Sequence, residues 1–262
     1  MGWTGSQRPL LPSPAAARRR CLAWLVGLAD LGPLPAVAAE LHLRVMVNEV
    51  APYSWRDGAE LAGLHPSLLR ALAAEAGLQF DFSAGLYARA SRALADGVAD
   101  LVVTLATPDQ DAQGQRVAVL HPVRYLVISR ADAPLTEPAQ LRGKLLGIAR
   151  NAYYNALIND DETIRKFTIV DPNQGLRMLA LGRLDAVIST DLLLMHALRQ
   201  PGLERAAFAP PISVGGSGYA LFARRDLPEP TVQRLRAGWA ALQRRGVPAA
   251  LLREHGGADA AP

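Results

Sequence analysis

The segments LADGVADLVVT (Leu94–Thr104) and LALGRLDAVIS (Leu179–Ser189) repeat one pattern: Leu-Ala-x-Gly, an aspartate three residues beyond the glycine, then an apolar run ending in a hydroxyl. A single physical unit accounts for both. A helix is stopped by a left-handed glycine, a tight turn follows, and a buried strand ends in a polar residue. Two such units in one chain predict two α/β halves with one copy each.

The remaining pattern alternates in the same way. LHLRVMV (Leu41–Val47) is β-rich and alternating, and GLHPSLLRALAAEAG places Leu64, Leu68, Leu69 and Leu72 at helical spacing, with Pro66 in the first turn and Gly77 at the stop. Short strands are expected at Leu78–Phe82, Val123–Arg130, Leu145–Ala149 and Phe167–Asp171, and helices over Ala88–Ala95 and the PNQGLRMLALG stretch. A Gly-led strand covers Gly215–Arg224, and Val232, Leu235, Trp239 and Leu242 then share one helical face. Alternating elements of this kind predict mostly parallel sheets flanked by helices.

Residues 1–39 read as a signal peptide, with Arg18-Arg19-Arg20, the short apolar run CLAWLVGLA and the small-residue site PAVAA. A periplasmic chain is therefore expected. Without Arg8, Arg18, Arg19, Arg20 and Asp30 the remainder is nearly neutral, so the high pI of about 9.6 gives no case for a nucleic-acid partner. Cys21, the single cysteine, lies in that leader, which suits an oxidising compartment. The five histidines show no metal-ligand spacing, and no metal or cofactor is expected.

Taken in order, LRVMVNEVAPYSW, AGLHPSLLRALAAEAGL, LADGVADLVVTLATP, LRGKLLGIARNAYY, LALGRLDAVIST and GSGYALFARRDLPE resemble a bacterial extracellular solute-binding protein, of the family that includes the polar amino-acid receptors of ABC importers. The resemblance implies a two-lobed periplasmic-binding-protein-like type II fold in which a two-strand hinge joins the lobes. Residues 40–130 and 214–256 would form the first lobe, 131–213 the second, and 257–262 a disordered tail. It further implies a monomer that takes a small-molecule ligand into its cleft and presents it to an inner-membrane ABC permease.

Ligands of open α/β sheets sit beyond the carboxyl ends of the strands. Four elbows are thus expected at the cleft: Asn48–Trp55, Thr104–Gln110, Arg150–Tyr154 and Ser189–Asp191. In the first, Tyr53 stands where the family often stacks an aromatic on its ligand, Trp55 is nearby, and Glu49 suits an ammonium group. Thr104 and Thr107 offer hydroxyls, or serve turn formation. Gln110 stands where the family has the arginine that clamps a carboxylate, which leaves Arg116, Arg124 and Arg150 as the candidate cations. Asn151, expected to cap a helix, and Tyr153 replace the family's Gly-Thr-Thr. Thr190 takes the place of the aspartate that pairs with an α-ammonium, with Asp191 one position later, where a strand side chain turns to the other face.

Both charge clamps of an α-amino-acid receptor are therefore absent or displaced. The expected function is non-enzymatic capture of a small polar organic ligand, an amino-acid-like compound, an amine or a carboxylate. The alternatives are a cyclohexadienyl-dehydratase-like enzyme, with Glu49 or Asp191 as general acid, and a ligand sensor without a transport role.

Overall fold

The computed structural model describes Met1, Gly2 and residues 42–256, so the expected leader beyond Gly2 and the expected tail lie outside the described residues. The chain from His42 runs β1 (His42–Asn48), a hairpin of β2 (Trp55–Asp57) and β3 (Glu60–Ala62), α1 (Leu64–Ala76), β4 (Gln79–Gly85), α2 (Tyr87–Ala90), β5 (Leu101–Leu105) and α3 (Pro108–Gln113). The long β6 (Gln115–Ser129) leads to β7 (Leu145–Ala149), α4 (Ala156–Asn159), β8 (Arg165–Ile169), α5 (Pro172–Ala180), β9 (Ala186–Thr190) and α6 (Asp191–Leu198). The chain returns through β10 (Ile212–Ala223) to α7 (Glu229–Arg244) and α8 (Val247–Gly256).

Eight strands form a sheet in the order β4-β1-β5-β10-β6-β9-β7-β8. At one end β1 pairs in parallel with β4 and β5, and at the other β7 pairs in parallel with β8 and β9. Between these parallel halves run β6 and β10, antiparallel to each other and to their outer neighbours. The fold is thus two α/β halves joined by a pair of crossing strands, the architecture expected for a two-lobed hinge fold.

From the glycine onward the two echoed segments form the same local structure. Gly97 and Gly182 have φ of 66° and 68°, the left-handed conformation that glycine adopts without a Cβ penalty. In each copy the aspartate carboxylate accepts the backbone N–H that opens the neighbouring strand's pairing: Asp100 Oδ2 from Arg44 at 2.8 Å, Asp185 Oδ2 from Leu145 at 2.7 Å. The aspartates' own N–H groups return bonds to the carbonyls of the same two partners, Arg44 and Leu145.

Two expectations are corrected. The helix expected over Ala88–Ala95 stops at Ala90, and turns carry the chain on to Gly97. The strand expected to start at Val123 starts at Gln115: Pro122 lies within it, in register opposite Gly218 of β10, and the ladder shifts just before it, at Leu120, between the pairs Val119–Ala220 and His121–Tyr219.

Helix α1 buries Leu64, Leu68, Leu69 and Leu72, the face its spacing predicts, and Gly77 ends it at φ 60°. Against it lies α7, which buries Val232, Leu235, Trp239 and Leu242. Arg234 of α7 donates to the Ala76 and Gly77 carbonyls left open at the end of α1. Each buried leucine contributes about 1.5–3 kcal/mol of transfer free energy. This packing fixes the first half's sheet from behind and leaves its strand ends free.

Candidate functional site

All six parallel strands end at one cavity of about 250 Å³. Its wall takes Asn48 to Ala51 from the end of β1, Leu86 and Tyr87 from the elbow after β4, and Leu105 from β5. From the other half come Ala149, Ala152 and Tyr154 after β7, Ile169 to Asn173 after β8, and Ile188 to Thr190 at the end of β9, while Tyr219 of β10 forms part of the wall from the crossing pair. A larger cavity of about 610 Å³, lined largely by apolar side chains of β6, α6 and α8, lies away from these strand ends. The smaller one is the candidate site because convergent strand ends and loops are where open α/β sheets bind ligands.

The expected residues divide between these places. Glu49 and Thr190 line the strand-end cavity. Tyr53 and Asp191 line the larger cavity. Tyr53 is fully buried, stacked on His65 with ring centroids 4.6 Å apart, and its hydroxyl lies 3.0 Å from Thr190 Oγ1. It links the first elbow to the end of β9 from within. Trp55 is on the β2–β3 hairpin, edge-on to His255 at 6.3 Å, outside the cavity wall. Thr104 is buried in β5, and Thr107 caps α3 by accepting the Gln110 N–H at 3.2 Å.

Neither Gln110 nor any of the candidate cations reaches the strand-end cavity. Gln110 turns inward, donating from Nε2 to the Ser91 carbonyl at 2.7 Å. Arg116 pairs with Asp111 on the outside, Arg124 donates to Asp191 at 3.1 Å beside the larger cavity, and Arg150 is exposed outside the wall. Asn151 has φ 60° and is exposed; Asn155, not Asn151, caps α4 by accepting the Ile158 N–H. Tyr153 donates to Asp160.

Sequence reasoning missed the elbows after β4 and β8, and with them Tyr87, Asp171 and Asn173. A signal was present at the second: Val170-Asp171-Pro172-Asn173 closes a strand with a helix cap followed by proline at the first helical position, and Asp171 does accept the Gln174 N–H at 2.8 Å.

No protein-family model and no curated protein matches the sequence. Solved structures do. An ancestral arginine-binding protein bound to arginine superposes with a TM-score of 0.71 at 16% identity, over 82% of this chain and 98% of the other. A histidine kinase sensor domain with similarity to periplasmic binding proteins gives 0.74 at 21% identity, over 83% and 97%. The substrate binding protein of an amino acid ABC transporter gives 0.70 at 14% identity, over 82% and 98%. The chain has the periplasmic-binding-protein fold.

On this periplasmic-binding-protein scaffold the strand-end cavity is polar at its rim and aromatic in its wall. Glu49 Oε1 lies 3.4 Å from Arg56 Nε, whose side chain is more than half exposed, so the pair is solvent-screened. Desolvation pushes the Tyr87 phenol up to about 12 and those of Tyr154 and Tyr219 higher still, so all three stay neutral hydrogen-bonding groups at physiological pH. Among the described residues no group of His, Cys, Asp and Glu gathers to hold a metal ion, and no helix is long and apolar enough to cross a membrane. Such an arrangement can enclose a small solute and offer it hydrogen bonds and ring surface.

Proposed function

We propose that the protein is a periplasmic, non-catalytic solute-binding protein that captures a small polar organic molecule and delivers it to an inner-membrane ABC permease. The observation that carries this reading is the convergence of all six parallel strand ends, three from each half, on one cavity. In this reading residues 40–130 with 214–256 form one lobe, 131–213 the other, and β6 and β10 the hinge between them. A ligand that touches both lobes favours their closed arrangement, and closure strengthens each polar contact by excluding water. The likeness to the substrate binding protein of an amino acid ABC transporter supports the transport role.

The test is a thermal-shift screen of the purified protein against amines, amino acids, carboxylates and sugars. A cognate solute at 100 times its Kd adds about 2.7 kcal/mol, a rise of roughly 5–10 °C for a domain of this size. No shift from any class overturns the reading. The likeness to a histidine kinase sensor domain favours a second reading, ligand sensing. Uptake of labelled ligand separates the two: cells lacking the protein lose uptake if it delivers, and keep it if it only senses.

A further inference from the structure

The charges on the wall of the strand-end cavity are of one sign. Among its described lining residues the ionised side chains are Glu49 and Asp171, and none is Lys, Arg or His. Helix N-termini are the fold's other means of holding an anion, and at four of them a side chain of the protein already accepts a backbone N–H, while the single-turn α2, at Leu86 and Tyr87 of the wall, has no side-chain cap. Thr107 caps α3, Asn155 caps α4, and Asp171 caps α5, where Pro172 removes a further donor. At α6 the Asp191 carboxylate accepts the Leu192 N–H at 2.9 Å. A ligand carboxylate entering here would be desolvated beside two like charges with no cation in the wall to meet it, since Arg56, outside the wall, already pairs with Glu49.

The same wall suits a cation. The side-chain oxygen of Asn173 is buried without a hydrogen-bond partner, an acceptor awaiting a donor. Tyr87, Tyr154 and Tyr219 supply rings, and aromatic rings attract ammonium and guanidinium groups. We propose that this cavity takes a small organic ammonium or guanidinium compound that carries no carboxylate, with Glu49 and Asp171 as its counter-charges. The inference rests on the reading of the cavity as the ligand site and narrows the ligand class.

Matched pairs that differ only by a carboxylate test it, by calorimetry on the purified protein: agmatine against arginine, and putrescine against ornithine. The decarboxylated member is expected to bind at least tenfold more tightly. Glu49→Gln and Asp171→Asn are each expected to weaken that binding at least fivefold, and the second keeps the helix cap, because asparagine caps as well as aspartate. An amino acid, a carboxylate or a neutral solute bound as tightly as the amines overturns the ligand class and leaves the binding reading standing. Amine binding indifferent to both substitutions overturns the counter-charge assignment. Absence of binding across all classes overturns both.

Discussion

Replacing Tyr53 by phenylalanine leaves the Thr190 hydroxyl buried without its 3.0 Å partner, at an expected cost of about 1–3 kcal/mol, measured as a lower urea midpoint. Tyr53→Ala is a different experiment, because emptying a fully buried aromatic site costs about 3–5 kcal/mol and threatens the fold itself. The histidines stacked beside it make a second prediction. His65 Nε2 and His121 Nε2 lie 3.1 Å apart, so one ring donates and the other accepts, which requires at least one neutral ring. Burial holds His65 well below the ordinary histidine range and takes His121 down to about 4. Between there and the unfolded value near 6.5 the unfolded chain binds more protons, so stability is full above about pH 7 and falls as pH drops toward 4. The expected loss is a few kcal/mol across that window, seen as a urea midpoint that falls from pH 7 to pH 4.5 and falls less in His121→Gln. Residue position was legible in the sequence here, but orientation was not. Tyr53 sits in an irregular elbow, where no periodicity says which way a side chain points, and long-range partners such as Thr190 decide it.

At the scale of elements, the echoed turn was the most legible feature, because glycine and aspartate at fixed spacing report backbone conformation directly. Its two copies are unequal in depth. Asp100 is nearly enclosed and also takes Arg44 Nε at 3.1 Å and Arg224 at 3.3 Å, whereas Asp185 is exposed. Burial alone would raise the Asp100 pKa; the guanidinium groups of Arg44 and Arg224 overcome it and hold the carboxyl below its ordinary value. Its contribution is therefore present above about pH 4 and lost as pH falls below. Asp100→Ala is expected to cost about 1.5–3 kcal/mol and Asp185→Ala about 0.5–1.5 kcal/mol in chemical denaturation. Less legible were β6, whose interior proline argued for a shorter strand, and α6, whose apolar run Leu192–Leu194 has no polar face to set a helical period. The site suffered accordingly. Elbows read from strands that were recognised whole were placed at the cavity, while those after β4 and β8 were overlooked although the same strand-end rule reaches them.

For the whole molecule, the side-chain hydrogen bonds that tie the second half to the first half and to the hinge strands include Tyr53 to Thr190, Asn155 Nδ2 to the Val214 carbonyl at 2.6 Å, and Arg124 to Asp191. Thr190→Val removes the first with little change in volume. The ligand-free variant is expected to show a larger radius of gyration by solution scattering than the parent, and saturating ligand is expected to bring the two together again. An unchanged radius would mean that the remaining contacts hold the halves by themselves.

The crossing of β6 and β10 also orders how the molecule can be assembled. The second half lies within one unbroken stretch of chain, but the first is closed only by the last segments, β10, α7 and α8, of which α7 lays its apolar face over the leucines of α1. A chain that emerges amino end first, from ribosome or translocon, thus exposes Leu64, Leu68, Leu69 and Leu72 for nearly the whole of synthesis. Until its last segment arrives the nascent polypeptide is a client for chaperones, and truncation anywhere before α7 leaves it one permanently.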